Sequence, residues 1–180
     1  MKRKRFILGF LLIGMICLMG CGEEPATQMK QIDQKILFIY RNYCFGERGG
    51  RNKGYFIDNR GRKVDFDLSD EGFEYAELDK VYEYLLDIDN SKDVFMSVLS
   101  PEELQECYDC LYRINMENSL KVKVPEKNDM HFSGWYGVIE NGEESPQFVM
   151  LLERGTVIWK RQNPDEYAER ILTNIIKIVK

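Results

Sequence analysis

Histidine is all but missing from this chain, with His131 alone in 180 residues. That leaves no second imidazole for a His-based zinc site, no H-E-x-x-H helix, and no His or Cys at ligand spacing from His131. No G-x-S-x-G elbow is present, and the glycines between Gly46 and Gly54 match neither a Walker loop nor a dinucleotide fingerprint. No metal and no cofactor is therefore expected. Basic residues are in deficit, 25 Lys and Arg against 30 Asp and Glu for a net charge of −5, which repels nucleic acid and anionic headgroups. Repeats and low-complexity blocks are also absent. A composition of 44% hydrophobic and 12% aromatic residues excludes a disordered chain and predicts one compact domain.

What is present begins at the N-terminus. Lys2, Arg3, Lys4 and Arg5 precede an apolar run from Phe6 to Leu18, too short for a membrane-crossing helix of roughly 20 residues but suited to the core of a secretory signal. Leu18-Met19-Gly20-Cys21 follows directly. This segment resembles the lipobox of bacterial lipoprotein precursors, and the resemblance implies cleavage before Cys21 and a diacylglyceryl group on its sulfur. Two acyl chains make such attachment effectively stable. The expected localisation is the extracytoplasmic face of a cell membrane, held by lipid at Cys21. An ordinary signal peptide cut elsewhere is the alternative. Loss of residues 1 to 20 removes four basic residues and no acidic one, leaving 21 against 30, or −9.

The organisation that follows is a signal over 1–20, a lipidated tether over 21–33 and a single α+β domain over 34–180. Lys35 to Cys44 is rich in Ile, Phe and Tyr, as strands are. Phe45 to Lys53 reads as a glycine-rich turn, with Arg48, Arg51 and Lys53 as a small basic tip. Gly54 to Asn59 and Arg62 to Leu68 flank Asn59-Arg60-Gly61, a hairpin signal. Leu78, Val81, Tyr82, Leu85 and Leu86 form the apolar stripe of a helix over about 75–88. Ser100-Pro101-Glu102-Glu103 carries N-cap, N1 proline and capping box for a second helix.

The last third returns to strands: Leu120 to Val124, Gly134 to Glu140, and Gln147 to Glu153 turning at Arg154-Gly155 into Thr156 to Arg161. Phe148 to Leu152 is the expected central strand. Asn163-Pro164-Asp165-Glu166 predicts a final helix with Asn163 as its cap. The order predicts an antiparallel sheet of meanders and hairpins with about three helices packed on one face. The stretch FIDNRGRKVDFDLS, the helical middle and the late YGVI strand resemble uncharacterised envelope lipoproteins of Gram-positive bacteria. That resemblance implies no activity.

Chemistry-bearing residues are few. Cys107-Tyr108-Asp109-Cys110 is a C-x-x-C, and with Cys44 these are the candidate redox or disulfide residues. The Ser100 cap places Cys107 two turns inside a helix, away from the dipole that activates such thiols, and Glu106 and Asp109 oppose thiolate formation. Buried, inert or bridged cysteines are the reading this favours. Asp65-x-Asp67-x-Ser69 and Asp87-x-Asp89-x-Ser91 imitate the start of a calcium loop but lack its glycine and its closing glutamate; they read as caps and turns. A Cys–His pair would need His131 beside one of the three thiols, which nothing in the sequence arranges.

The strands also hold Tyr40, Tyr43, Phe45, Tyr55, Phe56, Trp135, Tyr136 and Trp159. Period two puts Tyr55 and Phe56, and Trp135 and Tyr136, on opposite faces. Tyr55, Trp135, Tyr136 and Trp159 are the candidate binding aromatics, because such rings combine contact area with a polar handle. The predicted function is a non-catalytic binding or interaction module whose partner is an envelope protein or a small ligand. The alternatives are an exported thiol-redox factor using Cys107 and Cys110, or an envelope enzyme without a familiar motif.

Overall fold

The computed structural model describes residues 30–46, 49–69, 77–88, 96–117, 119–121, 131–142, 145–155 and 160–179. The chain divides into a compact unit, Gln31–Lys180, and a preceding unit, Met1–Lys30, of which only Lys30 is described. Cys21 and the lipobox therefore lie outside the described residues.

Six strands build one antiparallel sheet: β1 (Ile36–Gly46), β2 (Gly49–Asp58), β3 (Lys63–Asp67), β4 (His131–Ile139), β5 (Gln147–Gly155) and β6 (Lys160–Gln162). Their spatial order is β3-β2-β1-β4-β5-β6. Three helices are described: α1 (Leu78–Leu86), α2 (Pro101–Leu111) and α3 (Glu166–Ile175), the last running into a 3-10 turn, Ile176–Val179. The antiparallel α+β architecture is the one the element order predicts. None of these helices is long and apolar enough to cross a membrane.

Middle strands must be apolar on both faces, and β1 shows why KILFIY reads as an unbroken hydrophobic run. Phe38 joins one buried cluster with Tyr40 against it, while Ile39 and Tyr43 join the other. The first cluster holds the apolar sides of α2 (Leu104, Cys107, Leu111) and α3 (Ala168, Ile171, Leu172, Ile175). These two helices form a layer on one face. The buried side of α1 (Leu78, Val81, Tyr82, Leu85) belongs to the second cluster, with Phe56, Val64, Phe66 and Met150. A sheet greasy on both faces needs cover on both.

Local signals explain the element ends. Gly61, at φ +70, closes the β2–β3 hairpin in a conformation few other residues adopt. Ser100 Oγ accepts the Glu103 amide at 3.2 Å and the Glu103 carboxylate accepts the Ser100 amide at 3.0 Å, completing the capping box. At α3 the cap differs from the sequence reading: Asp165, not Asn163, accepts the Tyr167 amide, at 2.8 Å. Asn163 is buried instead, its amide donating to the Met150 carbonyl and the Ser119 hydroxyl, because an interior carbonyl beside β5 requires a donor.

Other expectations about the strands also change. The expected turn over Phe45 to Lys53 is largely strand, since β1 runs to Gly46 and β2 starts at Gly49. Middle place in the sheet goes to β1 and β4, with β5 interior beside them. Arg154-Gly155 is not a turn but part of the ladder, Arg154 pairing with Lys160 and Gly155 with Phe132. Of the strand predicted over Leu120 to Val124, residues 120 and 121 are outside regular structure and the rest lies outside the described residues.

One irregularity positions the site. Trp135 pairs with Leu152 and Tyr136 with Met150, so β5 carries one residue more than β4 across this step. That extra residue breaks the period-two alternation. Val149, Leu151 and Leu152 all belong to the cluster under α2 and α3, whereas Met150 belongs to the opposite one. Beyond the bulge Glu153 faces away from those helices, bonded to Tyr136, and Arg154 shares the helical side with Trp135.

Candidate functional site

Tyr55, Tyr40 and Trp135 stand directly beside one another on β2, β1 and β4. Their ring centroids lie 5.0 Å (Tyr40 to Tyr55), 5.0 Å (Tyr40 to Trp135) and 5.2 Å (Tyr55 to Trp135) apart, the last pair edge to face, within the range favoured by aromatic quadrupoles. Lys63 Nζ sits 4.6 Å over the Tyr55 ring and pairs with Asp65 at 2.9 Å. Burial raises the Tyr55 phenol above its ordinary range, and its buried hydroxyl has no hydrogen-bond partner among the described residues.

A cavity of about 90 Å³ opens beside this row, lined by Tyr40, Ser133, Gly134, Trp135, Leu152, Arg154 and Ile176. A wider groove of about 310 Å³ adjoins it, sharing Leu152 and Ile176 and bordered by Lys160, Gln162, Glu169, Leu172, Thr173 and Lys177. Ile176, just past the end of α3, is 38% exposed. Floor and rim thus differ in character: aromatic and aliphatic below, polar at the edge, where Arg154, Lys160 and Lys177 stand against Glu169.

The sequence candidates distribute unevenly over this geometry. Trp135 lines the cavity although only 3% exposed, and Tyr55, which does not line it, packs edge to face against Trp135. Tyr136 does not belong to any surface: it is 1% exposed on the opposite face, and its hydroxyl donates to Glu153 at 3.2 Å. Glu153 is ion-paired with Arg161 at 3.0 Å, and nearby on that face Arg41 Nε donates to the Asn52 side chain at 3.0 Å. Tyr136 is therefore part of a buried polar interior, reached because the adjoining Gly134 leaves room where a Cβ would fall 2.2 Å from the Tyr136 hydroxyl. Trp159 lies outside the described residues.

The described cysteines are all free: Cys44 exposed, Cys107 and Cys110 buried. Burial pushes the Cys107 thiol up to about 12, against a weak opposing bond from the Asn174 amide to its sulfur at 3.7 Å. Cys110 is raised as well, by burial and the nearby Glu106. His131, expected in a loop, is the first residue of β4 and stands across from Cys44 in the β1–β4 register. That juxtaposition comes from a long-range pairing the sequence does not display.

Asp67 accepts the Ser69 hydroxyl and amide and pairs with Lys53 at 2.5 Å, which pulls its carboxyl down to about 2. This is a capped turn at a strand end. Asp89 and Ser91 lie outside the described residues. Among the described residues no group of three or more His, Cys, Asp or Glu side chains could hold a metal.

Sequence reasoning missed Arg154, Lys160 and Ile176. Arg154 was hidden by Gly155, whose turn propensity suggested that β5 ended before it; no signal short of the β4–β5 register corrects this. Comparison with protein-family models, with curated proteins and with solved structures gives no match to this chain.

Proposed function

We propose that this chain is a lipoprotein, tethered by lipid at Cys21 to the extracytoplasmic face of a cell membrane, whose domain binds a ligand without transforming it. The lipobox Leu18-Met19-Gly20-Cys21 behind a basic start and a short apolar run supports the tether. One observation carries the binding role: an aromatic-walled cavity at the sheet, continuous with an open groove beside α3. A concave site with an apolar floor and polar side chains to orient a ligand is the common form of a recognition pocket. The buried, raised thiols of Cys107 and Cys110 weigh against redox exchange, which needs a thiolate at the surface.

Two measurements test this reading. In detergent-phase partitioning of cell membranes, the parent protein enters the detergent phase and Cys21→Ser stays aqueous; equal partitioning refutes the tether. In capture from envelope extracts with the domain from Gly22 onward, retention of a specific ligand is lost with Ile176→Asp, a substitution at an exposed position that leaves the circular dichroism spectrum unchanged. Retention equal in parent and variant removes the groove from the proposal.

A further inference from the structure

Arg154 and Lys160 occupy directly opposed positions on β5 and β6. Both are exposed, they line the two adjoining parts of the same depression, and neither makes an ion pair among the described residues. Like charges directly opposite on an antiparallel pair are destabilising. The contrast with the next pair along the ladder is direct: Glu153 opposes Arg161 and the two form an ion pair at 3.0 Å. The opposed cations stand in a chain that carries net negative charge, so acids to neutralise them are plentiful in the sequence. Yet among the described residues Glu169 is the one acidic residue lining the groove, while Lys177 adds a third cation. The half-buried Ser133 hydroxyl lies beside Arg154 in the cavity wall, and Leu152, Leu172 and Ile176 give the floor its apolar character.

We infer that this depression binds a small molecule with an anionic headgroup, carboxylate or phosphate, joined to a flat apolar body. The headgroup sits at Arg154 and Lys160 with Ser133 in reach, relieving the cross-strand repulsion. The body lies over Leu152, Leu172 and Ile176. The cavity of about 90 Å³ suits a headgroup and the groove of about 310 Å³ suits the body. Arg154 sets orientation, since a planar guanidinium presents paired donors to a carboxylate or phosphate.

The inference rests on the binding role proposed above, and the test separates the two. Isothermal titration of the domain from Gly22 onward uses three probes: 2-naphthoate, 2-naphthyl phosphate and the neutral 2-naphthamide. Both anions bind saturably and more tightly than the amide, and their relative affinity ranks carboxylate against phosphate. Arg154→Gln and Lys160→Gln each weaken the anions by about two- to fivefold, the size of a partly exposed charge contact, and leave the amide unchanged. Arg154→Lys recovers part of the loss. Lys80→Gln, an exposed cation on α1, has no effect. Equal affinity for naphthoate and naphthamide, with Arg154→Gln silent, overturns the anionic headgroup while the groove remains a binding site. Anion binding insensitive to Ile176→Asp overturns the location. Absence of saturable binding by either anion overturns the inference, and the capture experiment then judges the binding role independently.

Discussion

At the scale of single residues, burial decides what each cysteine can do. Cys107 and Cys110 face the apolar cluster beneath α2 and α3, where the hydration a thiolate loses outweighs the weak Asn174 contact at Cys107; Cys44 is exposed at the far end of β1. In the native domain from Gly22 onward, a maleimide reagent at neutral pH labels Cys44 rapidly and Cys107 and Cys110 only on unfolding, as peptide mass mapping reads directly. Rapid native labelling of Cys107 returns the redox alternative to the front. The same burial has a pH consequence. A free thiol titrates near 8.5 and Cys107 near 12, so above the free value the unfolded chain releases a proton that the folded one retains. The contribution is fully present below about pH 8.5 and drains as pH rises toward 12. Denaturant midpoints measured from pH 8 to pH 11 fall, and fall less steeply in Cys107→Ala measured relative to its own value at pH 8.

At the scale of elements, α3 is the test of the layering. Ile171, Leu172 and Ile175 are buried with Val149, Leu151 and the inner side of α2, so the helix closes the core. Each such side chain contributes roughly 1.5 to 3 kcal/mol when fully buried, against a total stability of about 5 to 15 kcal/mol. A chain ending at Asn163 does not fold, and its thermal scan shows no cooperative transition; a melting temperature near that of the whole domain would make α3 peripheral. The α2 cap is a milder case. Ser100→Ala removes the side-chain half of a complete capping box and costs about 1 kcal/mol, visible as a lower denaturant midpoint with unchanged slope. Gly137 marks how closely α2 sits: a Cβ there would fall 2.4 Å from Leu111 Cδ1.

At the scale of the compact unit Gln31–Lys180, the two faces of the sheet are tied at one strand end. Tyr82 of α1 and Tyr112 just after α2 both donate their hydroxyls to Glu140 after β4, one to its carboxylate and one to its carbonyl. Gln34, at the start of the unit, bonds to Tyr112 and to the carbonyls of Ile36 and Val138. The segment just before β1 is thus part of the fold. Deleting residues 1 to 30 leaves a single cooperative melting transition at the same temperature, whereas deleting 1 to 35 lowers it, as calorimetry of the two truncated domains checks.

The sequence by itself determined the features whose physics is local. The capping box at Ser100, the Gly61 hairpin and the stripes of α1, α2 and α3 each depend on residues within a turn or two of one another. The opposite-face placement of Tyr55 and Phe56, and of Trp135 and Tyr136, needs only the strand period, and it holds in the two clusters. Only the tertiary structure decided the site. The bulge between Trp135 and Tyr136 is a property of two strands in register, and without it strict alternation from Val149 through Leu151 would send Glu153 toward α2 and α3 and Arg154 away from them. One extra residue in β5 reverses this, burying Glu153 beside Tyr136 and bringing Arg154 to Lys160 at the rim of the cavity. A strand's own sequence carries its alternation, but where the alternation slips depends on the partner strand and on which side chains the covering helices can accept.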